Sequence, residues 1–159
     1  MNNIKNKILI FGFTTFLIGC SQSATSVFDK DPIYAQNVQY SKVIKSLDKE
    51  TVNAIFNITY LNSVDTSKWN NDKQNFLIGS YTFDNEKSDF KLTLNGKKQI
   101  SSKDVLKDDP MYENIAFRNT WASYEIITFN EIDEDDNNTL TIQYTHPKFD
   151  NISTTFIKE

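Results

Sequence analysis

The chain has 159 residues, with 17 Lys and Arg against 21 Asp and Glu, one His, one Cys and four Gly. A net charge of −4 with no basic run argues against nucleic acid as a partner and against charge-driven docking on anionic lipid. A single His and a single Cys argue against a transition-metal site, and so few glycines could hardly supply a phosphate-cradling loop. An aromatic content of 13% suits a packed β domain better than a disordered tail.

The N-terminus reads MNNIKNK followed by ILIFGFTTFLIG. Lys5 and Lys7 are the only charges before Cys20, and residues 8–19 are apolar apart from Thr14 and Thr15. A short basic segment followed by a short apolar run is the pattern of an export signal. The run is about a dozen residues long, against the roughly 20 that a membrane-spanning helix needs.

Leu17-Ile18-Gly19-Cys20 resembles the lipobox of bacterial lipoproteins, over about the first 21 residues. Ile18 stands where that family favours Ala or Ser. The resemblance implies a diacylglyceryl thioether on the Cys20 sulfur, cleavage between Gly19 and Cys20, and usually acylation of the new amino group. It also accounts for the lack of any later cysteine, since a lone exported thiol invites wrong disulfides. The alternative is a small apolar residue ending an uncleaved helix. In the sorting rule of two-membrane bacteria that the resemblance brings with it, Ser21 rather than Asp implies passage to the outer membrane. The expected organisation is a signal peptide over 1–19, a lipidated Cys and flexible tether over 20–31, and one domain over 32–159. Losing residues 1–19 removes two lysines and leaves a net charge of about −6.

Residues 21–31 are small, polar and without periodicity, and Asp31-Pro32 marks where order should begin. Residues 40–47 read as a strand or a short helix, with strand favoured. Val52, Ala54, Phe56, Ile58 and Tyr60 then alternate at period two, which predicts a strand with one buried face. Residues 62–75 read as a polar loop carrying Trp69. Residues 76–83 are apolar on both parities, as in a central strand. Phe90, Leu92 and Leu94 alternate into Asn95-Gly96, the strongest short hairpin signal, and residues 97–101 should pair back.

Residues 102–120 are the least regular, with a helical turn expected over 103–107 and stopped near Pro110. Residues 121–129 read as a strand, and the acidic run 131–136 with Asn137 and Asn138 as a loop. Leu140, Ile142 and Tyr144 alternate in the next strand, 146–151 turns, and Ile152, Thr154 and Phe156 form the last. About seven or eight short strands in one domain predict an all-β, antiparallel β-sandwich. It resembles an immunoglobulin-like architecture, although the Cys pair and tyrosine-corner spacing of that family are absent, and a small β-barrel is the alternative.

Candidate chemistry is sparse. His146 precedes Pro147 in a predicted turn and has no nucleophile motif to serve. Asp133, Asp135 and Asn137 are spaced like the opening of a calcium loop. Asn138, however, stands where Gly is wanted and Tyr144 where the bidentate Glu belongs, so a solvated hairpin tip is the competing reading. Asp135 through Thr139 is also similar to the bacterial acceptor sequon, with Asn137 as the glycosylated residue. Asn57 and Asn151 lack the acidic residue two positions earlier. Trp69, Tyr112, Phe117 and Trp121 fall in or beside the two longest loops. They form either a recognition face or a cap on the ends of the core.

The function expected from these residues is a lipid-anchored, non-enzymatic envelope module for binding, assembly or scaffolding. It would touch the membrane through Cys20 and have an envelope protein as a possible partner, with no cofactor and no nucleic acid. The alternatives are an envelope hydrolase using carboxylates and a weakly calcium-binding surface adhesin. A cleft gathering several carboxylates would favour the hydrolase, and an exposed Trp/Tyr patch the binder.

Overall fold

The computed structural model describes residues 32–69, 72–83, 89–131 and 138–158. Cys20, Asp133, Asp135 and Asn137 lie outside them. The described chain opens with helix α1 (Pro32–Gln39), which the sequence pattern did not announce because it carries no apolar stripe. Proline suits the first turn, where its missing N–H is not needed and its fixed φ is already helical. Asn37 is buried, and its Nδ2 donates to Ile33 O at 2.9 Å. Ser41 Oγ donates to Asn37 O at 2.5 Å and lies 2.6 Å from Thr59 Oγ1, which fastens the helix end to the adjoining sheet.

Nine strands follow among the described residues: β1 (Ser41–Asp48), β2 (Thr51–Tyr60), β3 (Lys73–Thr82), β4 (Lys91–Leu94), β5 (Lys97–Lys98), β6 (Ser101–Asp104), β7 (Ser123–Asn130), β8 (Thr139–Thr145) and β9 (Ile152–Ile157). They form an antiparallel sandwich, with one sheet in the order β1-β2-β3-β7-β6 and the other in the order β5-β4-β8-β9. The inner faces meet in one core. Ala54, Phe56, Ile58 and Tyr60 of β2, Phe76 and Ile78 of β3, and Ile127 and Phe129 of β7 pack against Leu94, Leu140, Ile142, Tyr144 and Phe156. Lys42 Nζ donates to Thr155 O at 2.5 Å and closes the β1/β9 side of the sandwich.

The predicted strands at 40–47, 51–60, 76–83, 90–94, 121–129, 140–144 and 152–156 are all present, with small shifts of boundary. The Asn-Gly turn is type I′ in character, because Asn95 (φ 46°) and Gly96 (φ 76°) both have positive φ.

Three expectations fail. Residues 62–75 are not simply a loop: α2 (Leu61–Val64) and α3 (Thr66–Trp69) are single helical turns, and Asp65 Oδ1 accepts from the Ser67 and Lys68 amides at 3.1 and 3.2 Å to start the second. Residues 97–101 do not all pair back. Only β5 does, after which the chain crosses to the other sheet, where Ile100 N donates to Thr128 O and β6 pairs with β7. Residues 103–107 are therefore partly strand rather than a helical turn. Pro110 begins a 3-10 turn (Pro110–Asn114) instead of stopping a helix, and Asp109 Oδ1 accepts from Met111 N at 2.9 Å as its cap.

The five-stranded sheet is covered on its outer face as well. Leu77 of β3 and Tyr124 of β7 pack with Leu61, Val105, Tyr112 and Ile115 in a second core. This explains why β3, in the middle of the sheet, is apolar on both parities. Gly79 makes the second core possible. It pairs with Tyr124, and a Cβ built on it would sit against that ring, with Tyr124 Cδ1 at 2.9 Å. Gly79→Ala should therefore lower stability by about 1–3 kcal/mol, the usual cost of overpacking. In urea denaturation the midpoint should fall with an unchanged slope. An unchanged midpoint would show that the ring does not lie over the glycine.

Candidate binding surface

The segment covering the outer face ends in a loop over residues 116–122, and several contacts brace it. Asn57 of β2 is buried and its Nδ2 donates to Ala116 O, itself buried. Tyr124 Oη accepts from Asn119 N at 2.6 Å and lies 3.3 Å from Asn119 O. Burial raises the Tyr124 phenol above its ordinary pKa, partly opposed by the Asn119 amide, so the ring stays neutral in this role. Asn119 Oδ1 accepts from Trp121 N at 3.0 Å, and Ala122 N donates to Asn119 O at 3.1 Å. Arg118 Nη1 meets Glu113 Oε2 at 3.0 Å, and its guanidinium lies 5.0 Å from the Tyr112 ring centre.

Two large apolar side chains project from this braced loop. Trp121 is 81% exposed and Phe117 is 55% exposed. Phe117 also has φ 53°, an outlier for a bulky residue. Such a backbone costs on the order of 1–3 kcal/mol and persists only where its surroundings over-determine it. Here the Asn57–Ala116 bond holds the residue before it and Arg118 follows with its ion pair. Ordering is thus already in place before any partner arrives, which lowers the entropy cost of docking.

The four aromatic candidates are not brought together as one patch. Tyr112 is buried in the second core, edge-on to Tyr124 at 5.7 Å. Trp69 is half-buried against the same core, with Lys68 Nζ 5.2 Å from its ring centre. These two cap the core, while Phe117 and Trp121 face outward.

His146 has no exposed side-chain surface. Its ring packs against Phe90 at 4.5 Å and Phe149 at 4.4 Å, and its Nδ1 accepts from Lys148 N at 3.1 Å. Nε2 stands 3.9 Å from Asp89 Oδ2. These contacts pack the turn around the ring.

On the side away from β1 and β9 the sandwich opens into a cleft of 560 Å³ between β4, β7 and β8. Its lining includes Phe56, Ser80, Phe90, Glu125 and Tyr144, and among the described residues Glu125 is the one acidic residue that lines it. Among the described residues, no group of three or more His, Cys, Asp and Glu is placed to hold a metal ion. Glu125 is not among the residues that the sequence singles out, but it shares strand parity with Ile127 and Phe129, so a charge sits on an inward register. Compared with protein-family models, curated proteins and solved structures, the chain matches none.

Proposed function

We propose that the chain is a lipid-anchored bacterial envelope protein whose β-sandwich is a non-enzymatic binding module, docking a protein partner through Phe117 and Trp121. The lipobox-like Leu17-Ile18-Gly19-Cys20 supports the anchor, and Ser21 supports an outer-membrane address where there are two membranes. The observation that carries the binding role is the exposure of a Trp and a Phe on a loop braced from both sides. Exposed aromatics held rigid are the commonest anchors of protein interfaces.

Photoreactive amino acids placed singly at 117 and 121 of the full lipidated chain, in cells, provide the test. Positions 45 and 153 are exposed controls on β1 and β9. Discrete adducts are expected at 117 and 121 and not at 45 or 153. No adduct at the loop positions, or equal adducts at all four, would remove the loop as the docking surface.

A further inference from the structure

We propose that the inter-sheet cleft is a binding site for a small organic amine, with the Glu125 carboxylate receiving the ammonium and the Tyr144 hydroxyl bonding an oxygen of the same molecule. This site is separate from the 116–122 loop and stands or falls without it.

The register builds the site. Phe56 of β2 pairs with Ser80 of β3, and Ile78 of β3 pairs with Glu125 of β7, so these residues share the inward face. Across the sandwich Leu92 pairs with Tyr144. The walls are therefore aromatic and aliphatic: Phe56 stacks on Tyr144 with centroids 4.0 Å apart and meets Phe90 edge-on at 5.1 Å. Lys91, Thr93 and Lys98, on the opposite parity of their strands, line it as well. A cleft of 560 Å³ falls within the roughly 300–1,000 Å³ of small-molecule sites.

The second observation is Tyr144. The residue is 4% exposed, it lines the cleft, and its Oη has no hydrogen-bond partner among the described residues. A buried hydroxyl without a partner is costly. Burial, and after it the Glu125 charge, holds the phenol well above its ordinary pKa, so it remains a donor. Glu125 is oriented by Ser102 Oγ, which donates to Oε2 at 2.6 Å. A carboxylate beside aromatic faces selects a cation, and a phenol donor beside it selects an acceptor a short distance from that cation. An amine that also carries a carbonyl or hydroxyl oxygen on an apolar body meets all three demands.

Calorimetric titration of the full chain with L-phenylalaninamide tests this, with 3-phenylpropanamide as the analogue lacking the ammonium. Saturable one-to-one binding of the amine is expected, with the analogue and Glu125→Gln each weakening it about tenfold or more, since a charged hydrogen bond is lost. Tyr144→Phe should weaken binding roughly two- to tenfold yet raise the melting temperature of the empty protein, because it removes an unpartnered buried hydroxyl. No saturable binding, equal affinity for the analogue, or unchanged affinity in Glu125→Gln would overturn the site. A lowered melting temperature in Tyr144→Phe would show the hydroxyl already satisfied by water and would also overturn it. The analogue arm uses the parent chain and needs no variant to fold.

Discussion

Phe76→Ala should cost about 3–5 kcal/mol, the usual loss for a fully buried Phe, out of the 5–15 kcal/mol that typically holds a domain together. Phe76 sits on β3, the middle strand of the larger sheet, with no exposed surface. Its ring meets Tyr60 at 5.0 Å, Phe156 at 5.5 Å and Phe129 at 6.0 Å, which come from β2, β9 and β7. Truncation therefore empties a space bounded by both sheets, and β-strands cannot close it without breaking their ladders. Phe83, just past the end of the same strand, is 55% exposed, and among the described rings it touches only Tyr81, at 4.8 Å. Phe83→Ala should cost no more than about 1 kcal/mol. Urea denaturation followed by circular dichroism compares the two. Equal losses would mean that the core does not lie between the sheets.

The other large effect concerns the anchor. Cys20→Ala should abolish incorporation of labelled palmitate and leave the precursor with its first 19 residues attached. Cys20 is the only thiol in the chain, so no other residue can form the thioether. Each buried acyl CH2 contributes about 0.8 kcal/mol, and two or three chains hold stably where one does not. The variant should therefore lose acyl-mediated membrane attachment. Equal labelling of variant and parent, or cleavage upstream of Cys20 in the parent, would defeat the lipid reading. Fractionation of a two-membrane host should find the parent in the outer membrane; recovery only from the inner membrane would contradict the role given to Ser21.

Regular strands were legible wherever one face was buried and the other wet. β8 alternates cleanly because only one side of it meets the inter-sheet core, and β2 reads the same way because its outward Asn57 and Thr59 are polar, although both are buried. The β4/β5 hairpin was legible because a two-residue turn with positive φ at both positions strongly prefers Asn-Gly. β6 was not legible: all four of its residues are exposed at a sheet edge, so no apolar period marks it. The turns at Leu61–Val64, Thr66–Trp69 and Pro110–Asn114 are too short for any period to show.

The sequence by itself determined the β-sandwich class, the main strands and the Asn95-Gly96 turn, because period-two burial and positive φ are properties of a few neighbouring residues. Only the tertiary structure decided which aromatics of the irregular regions face outward. Tyr112 and Trp121 are nine residues apart in the chain. One is buried against Tyr124 and the other projects from the loop, because the 105–122 segment must fit the outer face of β3 and β7 around Gly79. The same holds for Glu125. Its inward parity was readable in β7, but its place opposite Tyr144, at the side where the sheets part, depends on strands brought together from distant parts of the chain.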